Sequence, residues 1–526
     1  MFRNLERFPI RWNHLIDQNS LKTRNRRAFA NPIRSANDLE RIPKDGQRCS
    51  DKNLLRNKKL ERLPVLSRSK NILYSYAFVL LALGLSTTTA NAMSCRVTYE
   101  REGALAMDKM WSGTPVGYAA IQRNGKVYFA YYNPERKLTV SELNIQTKQL
   151  CTISLNSIFK GWDSHNRIAM TFDNAGFLHV SGNMHGNSLV YARSDKPDSI
   201  QGMRLQPMIG RDENRVTYPQ FLSSPDGRLF FRYRQGGSGN GKWFVNALKD
   251  GAWMRVLDKP VFGNMWRGDT VNAYPPNLYF DRTGYVRVPV VWRKTPDVAT
   301  NFALTYAQTR DFENWETADG KPLQTPLTPD NSEMIDFTDE NRGLVNAVKI
   351  ALNNKDQPVI VYRKYGPAGR NALYLAIHTE KGWVSKLLNE WNRLSPVKGV
   401  GSINLGRFAT FMPESGLLVA SYPGVAIREY RFDPETFEPT APPRRTSTNR
   451  SSQPQKWPEL VTIPEGTEDA RLLQVSVRNS AVPGERAGVI QYFAQAMHND
   501  RPRQCTPKAP LACNPPPSET YFIPAP

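Results

Sequence analysis

The chain has 526 residues, 40% of them hydrophobic and 10% aromatic, with 34 glycines and 39 prolines. That length exceeds one ordinary core, and the composition excludes a collagen, a coiled coil and a polytopic membrane protein. The formal net charge of +22 divides evenly: residues 1–70 hold 18 Lys/Arg against 7 Asp/Glu, residues 71–92 hold no charge, and the remaining +11 lies in 93–526.

Residues 1–70 are polar and basic and show no sustained periodicity. They read as a disordered extension or a mis-assigned start, in preference to a basic tail for nucleic acid. Residues 71–92 then follow Arg68 and Lys70 with an apolar stretch centred on Phe78–Leu85 and end in Ala90-Asn91-Ala92. A charged start, a short apolar core and an A-x-A end make a secretory signal, and the core is short of the ~20 residues a membrane span needs. The mature protein is expected to be secreted or periplasmic, with no stable membrane insertion after cleavage and no nucleic-acid partner. Cys49 falls in the extension, while Cys95, Cys151, Cys505 and Cys513 fall in the mature part. Four cysteines in an oxidising compartment predict two disulfides, with three pairings open. The short Pro-rich Cys505–Cys513 loop suggests a local clip inside a C-terminal tail, 501–526. No C-x-x-C occurs, so no zinc ribbon is expected.

Residues 93–500 carry an internal repeat: strand, Asp/Asn/Gly turn, strand, polar loop, strand. Clear copies begin at His165, Tyr218, Tyr274 and Asn346, and weaker ones at Tyr118 and Asn404. Each alternates apolar and polar residues over short Val-, Tyr- and Phe-rich runs bounded by turn residues. A period near 40–50 residues with about four strands is the pattern of a β-propeller blade. Residues 458–498, completed by a strand after Cys95, supply a seventh copy. The expectation is an all-β fold, one seven-bladed β-propeller, acting as a monomer.

The repeat also predicts which side chains share a face. First strands line a central channel and second strands run antiparallel beside them. Thus His165, Tyr218, Tyr274 and Asn346, at first-strand starts, should meet His185, Arg234, Arg293 and Arg363, at second-strand ends, around one mouth. His179 sits mid-strand in "FLHVSG" and reads as structural. Arg232 is two residues before Arg234 on the same strand and should project similarly, so pattern alone does not separate them. Lys242, after the glycine-rich "QGGSGNG", is a further candidate for binding substrate.

Histidines, a phenol and Arg forks around a basic cavity suit β-elimination on a uronic-acid polymer. Arg neutralises the carboxylate and so acidifies the proton alpha to it. A neutral His or a tyrosinate takes that proton, and a tyrosine OH protonates the departing glycosidic oxygen. His165 and His185 would alternatively form a metal pair, but with no carboxylate or Cys ligand recognised nearby, no metal site is assigned and no cofactor is required.

"GWDSHNRIAMTFDNAGFLHVSGNMHGNSLVYARS" with "VTYPQFLSSPDGRLFFRYRQGGSGNG" resembles the BNR-repeat-like polysaccharide lyases, the seven-bladed-propeller ulvan lyases. The resemblance implies β-eliminative cleavage of ulvan, a sulfated polymer of rhamnose and uronic acids. It makes His165 and Tyr218 the base and acid pair, in either order, with Arg234 as the carboxylate neutraliser and His185 assisting. Tyr274 matches a further site tyrosine; Arg293, Arg363, Asn346 and Lys242 are expected to bind substrate. It also allows a structural calcium or zinc ion, for which the sequence offers no assigned ligands. Two alternatives are a sialidase-like glycoside hydrolase, for which "SSPDGRLFF" is only a degenerate Asp-box, and a noncatalytic carbohydrate-binding propeller.

Overall fold

The computed structural model describes residues 92–401, 406–446, 457–467, 469–482 and 484–526. The basic extension, the signal segment up to residue 91 and Cys49 lie outside the described residues. Among the described residues the regular structure is all strand, apart from single 3-10 turns at Val298–Thr300 and Pro413–Ser415. No helix there is long and apolar enough to cross a membrane.

The strands pair as successive antiparallel meanders of four. The first holds Ala119–Arg123, Lys126–Tyr132, Lys137–Asn144 and Gln149–Ile158; the second holds Ile168–Phe172, Leu178–Gly182, Tyr191–Arg193 and Arg204–Leu205. The third runs Val216–Ser223, Leu229–Gly237, Asn240–Lys249 and Ala252–Arg255, and the fourth begins Asn272–Tyr274, Val286–Arg293 and Asn301–Thr309. Lys349–Leu352 opens the fifth and Phe408–Met412 the sixth. The last unit draws on both chain ends: Ala470–Asn479, Arg486–Gln495, Tyr521–Pro524 and Ala104–Ala106. Its first strand pairs in parallel with Ala119–Arg123 of the first unit, so the series returns to its start.

Two sequence expectations about the chain ends meet the structure here, and one of them is corrected. A strand after Cys95, Ala104–Ala106, does complete the last unit, while Ser94–Val97, the strand that contains Cys95, pairs with Gln149–Ile158 of the first. The correction concerns the segment 501–526, which is no separate tail, because Tyr521–Pro524 is an interior strand of the last unit. The disulfides are Cys95–Cys151 and Cys505–Cys513.

Most sheets bury both faces, which is why their middle strands read as continuous apolar runs such as "KVYFAYY". Side chains alternate across a strand. Tyr128, Ala130 and Tyr132 therefore pack against Met170 and Val180 of the second unit, while Val127, Phe129 and Tyr131 pack against Val477 and Ile490 of the last. The same two-sided logic joins the third unit to the fourth through Trp243 and Trp292, and the fourth to the fifth through Tyr306 and Ile360. First strands of successive units lie side by side, as Ala119–Arg123 does with Ile168–Phe172, and so the residues that open those strands collect at one end.

Candidate active site

The loop "GWDSHN" precedes the first strand of the second unit and is held at several points. Trp162 packs on Trp111 with ring centroids 5.3 Å apart, and the Tyr132 hydroxyl donates to the Asn166 carbonyl at 2.7 Å. Within the loop, Asp163 Oδ1 accepts the His165 backbone N–H at 2.9 Å and contacts His165 Nδ1 at 2.7 Å. The second carboxylate oxygen of Asp163 contacts His185 Nδ1. The two imidazoles stack, with centroids 4.3 Å apart and planes 17° from parallel.

One carboxylate thus serves two histidines. With each Nδ1–H donated to Asp163, both rings carry the proton on Nδ1 and present Nε2 with its lone pair, an assignment that follows from the hydrogen-bond network. Burial would raise the Asp163 pKa, but the hydrogen bonds from His165 and His185 outweigh it and hold the carboxyl well below the usual carboxylate range. Asp163 was missing from the sequence reading, which found no carboxylate beside the histidine pair. It stands two residues before His165, and the available signal was the D-x-H spacing itself. Asp163, His165 and His185 are also one of two groups among the described residues whose ligand atoms converge as a metal site would require; Asp319, Glu333 and His378 are the other.

Tyr218 opens the third unit. A register shift between Thr217 and Gln220 interrupts its pairing with the second strand, and Tyr218 adopts φ +58°, left-handed and immediately before Pro219. Bulges and such backbone angles re-aim side chains at a cost of about 1–3 kcal/mol. Here the ring leaves the ladder and stands edge-on to His165, centroids 6.0 Å apart, and parallel to Trp243. The Arg234 guanidinium lies over its face at 4.8 Å, and Arg167 at 5.5 Å.

The four arginines left open by the sequence now separate. Arg232 donates to Gln220 Oε1 and to the Pro276 carbonyl, both at 2.7 Å, and burial pushes its pKa down to about 9. Arg293 is held by Asn301 Oδ1 at 2.8 Å and Asn346 Oδ1 at 3.0 Å, with its charge over the Tyr274 ring at 4.2 Å. Arg363, 1% exposed, donates to the Arg407 and Ser421 carbonyls of the sixth unit, each at 2.9 Å. It therefore ties two units together, and its expected place in the mouth is corrected. Arg234 is 2% exposed, its Nε is buried without a partner, and no described residue accepts a hydrogen bond from its guanidinium. Gly241 makes room for it: a Cβ there would stand 2.7 Å from Arg234 Cδ.

Tyr274 is 8% exposed; its hydroxyl lies 2.7 Å from Ser238 Oγ and 3.3 Å from the Arg293 guanidinium. Burial raises its pKa, yet the charges of Arg293 and Arg234 and the Ser238 hydroxyl prevail and hold the phenol below its ordinary value. Asn346 is the acceptor that steadies Arg293, and Lys242 is half-buried on the strand opposite Gln235. His179 is fully buried between the Tyr191 hydroxyl and Asp173, as its mid-strand place predicted. The structure thus brings His165, His185, Tyr218 and Arg234 into one cluster, with Tyr274, Arg293 and Asn346 adjoining through Arg234.

No curated protein matches the chain. Among solved structures it is similar to the polysaccharide lyase Uly1, at 13% identity and TM-score 0.48, covering 81% of this chain and 94% of that one. A PL25 ulvan lyase bound to -[GlcA(1-4)Rha3S]- is similar at 13% identity and TM-score 0.48, covering 80% and 95%. An exo-1,5-alpha-L-arabinanase from a bovine ruminal metagenomic library is similar at 13% identity and TM-score 0.28, covering 54% and 100%. The family model described as "BNR repeat-containing family member" matches residues 126–391, just over half of the sequence, and the chain belongs to that family.

Proposed function

We propose that this protein is a secreted lyase that cleaves a uronic-acid-containing sulfated polysaccharide, ulvan first among candidates, by β-elimination. The observation that carries the reading is Arg234: a guanidinium on a side chain 2% exposed, with no hydrogen-bond acceptor among the described residues, set over the Tyr218 ring. Burying an unpaired cation is costly, and a fork of that kind is suited to a substrate carboxylate that supplies the missing acceptors.

With the uronate carboxylate on Arg234, the adjacent C5–H is acidified. His165 Nε2 takes that proton; the C5–H electrons form the C4=C5 double bond and the C4–O bond breaks. The Tyr218 hydroxyl, which no described residue binds, donates its proton to the departing oxygen. We assign the base to His165 because Asp163 holds its Nδ1–H and would stabilise the imidazolium that forms. His185 shares that carboxylate and keeps the His165 ring stacked in place. Tyr274, Arg293, Asn346 and Lys242 extend the binding surface for neighbouring sugars or sulfates. A structural divalent cation would be held by Asp319, Glu333 and His378, since both oxygens of Asp163 already serve histidines.

The test mixes the secreted protein with ulvan and follows the ultraviolet absorbance of the unsaturated uronate product, beside His165→Ala, Tyr218→Phe and Arg234→Ala. Absorbance that rises with wild type and collapses in all three folded variants supports the lyase. No rise on ulvan or on a panel of other uronates, with measurable glycan binding, replaces it with a noncatalytic binding module.

A further inference from the structure

We propose that Asp500, more than three hundred residues away in sequence, is a positioning residue for the Asp163–His165 pair; the inference rests on the reading of the site given above. Asp500 Oδ1 accepts two hydrogen bonds from Ser164, one from its backbone N–H at 3.0 Å and one from its hydroxyl at 3.1 Å. Ser164 is the single residue between Asp163 and His165. Its peptide orientation determines whether the Asp163 carboxylate can accept the His165 backbone N–H and contact His165 Nδ1 at once. Asn166 N–H and Nδ2 bond the Asp163 carbonyl at 3.2 and 2.9 Å, the other end of the planar peptide whose N–H Asp500 accepts, so that Asn166 and Asp500 together fix the unit from both sides.

The segment carrying Asp500 is anchored on both sides. Upstream, the Ala496 N–H donates to the Asp469 carbonyl at 3.1 Å, and Gln495 Nε2 reaches forward to the Ala512 carbonyl at 2.9 Å. Downstream, Arg503 pairs with Asp469 at 3.3 Å and the Cys505–Cys513 disulfide closes the next turn before the chain enters Tyr521–Pro524. Asn499 and Asp500 both take left-handed φ, +50° and +59°, a conformation that Asn and Asp tolerate better than other side-chain-bearing residues. That double turn directs the carboxylate at Ser164.

The experiment uses the full chain with Asp500→Ala, Asp500→Asn and Ser164→Ala. Two readouts are taken: kcat and KM on the uronate substrate, and the long-range 1H–15N spectrum of histidine-labelled protein, assigned with His165→Gln and His185→Gln. Asp500→Ala is expected to lower kcat ten- to a hundredfold with KM within about twofold, as a displaced base does. The His165 imidazole resonances should move in the same variant. Asp500→Asn keeps the accepting oxygen and should restore most of kcat and the wild-type spectrum. Should Asp500→Ala fail to fold, Ser164→Ala carries the test at smaller amplitude. Unchanged kcat and an unmoved His165 spectrum in Asp500→Ala, or equal losses in Asp500→Asn, overturn the proposal. If wild type has no lyase activity at all, the proposed function fails, and the imidazole spectra still decide whether Asp500 positions His165.

Discussion

Replacing Arg234 by Met should abolish activity while leaving the protein about as stable as before, whereas Arg363→Met should do the reverse. Both arginines are 2% exposed or less, so burial does not distinguish them. Arg363 gives two hydrogen bonds to carbonyls at 2.9 Å and lies over Phe408 at 4.0 Å. Removing it strands two buried acceptors at about 1–3 kcal/mol each, a loss of about 2–6 kcal/mol. Arg234 has no hydrogen-bond acceptor among the described residues and lies over the Tyr218 ring, a contact worth about 0.5–2 kcal/mol. Met retains its aliphatic stem and roughly its volume, so the expected change in stability is within about 1.5 kcal/mol of wild type. Against that, two charge-assisted bonds to substrate at about 1.5–3 kcal/mol each predict a fall of about 10²–10⁴ in kcat/KM. Scanning calorimetry of the full chain at one scan rate, with the uronate assay, measures both. The reasoning is refuted if Arg234→Met melts several degrees below wild type while Arg363→Met melts with it.

Asp163→Asn should leave the fold intact and reduce kcat by about 10³–10⁴, because an amide cannot accept from both imidazoles; matched urea melts and rate assays check it. Since the folded Asp163 pKa lies below its unfolded value of ~3.9, its stabilisation is present above that value and is lost as pH falls beneath it. The acid limb of the stability–pH curve should therefore flatten in the Asn variant, and an unchanged limb would count against the double hydrogen bond. Tyr274 should ionise before the buried structural tyrosines such as Tyr306 and Tyr362, whose pKa values burial raises. A spectrophotometric titration should lose its earliest phenolate component in Tyr274→Phe, and persistence of that component would refute the assignment. Replacing Cys95 and Cys151 with Ser, which opens a 56-residue loop, should cost about 4 kcal/mol against about 2.5 kcal/mol for the 8-residue Cys505–Cys513 clip, read from denaturant midpoints.

Local chemistry made much of this molecule readable from its residues in order. Alternating Val, Tyr and Phe between Asp/Asn/Gly turns specifies short strands, and the repeat spacing places His165, Tyr218, Tyr274 and Asn346 in or within three residues of successive first strands. His165, His185, Tyr218 and Arg234 could be gathered on one face because a periodic fold turns sequence distance into angular position. What the repeat could not do was separate residues that share a repeat position. Arg234, Arg293 and Arg363 lie at or near the ends of equivalent strands, and only packing decided that Arg363 would bind carbonyls of the next unit while Arg234 found no acceptor among the described residues. Asp163 was visible beside His165, but that one carboxylate serves two histidines depends on His185 standing on its own short strand, His185–Asn187, paired with Val216 and Thr217 of the third unit. Asp500, and the closing strands Tyr521–Pro524 and Ala104–Ala106, come from opposite ends of the chain. Their partners are set by ring closure, a long-range constraint on the whole chain that leaves no periodic signal in any one segment.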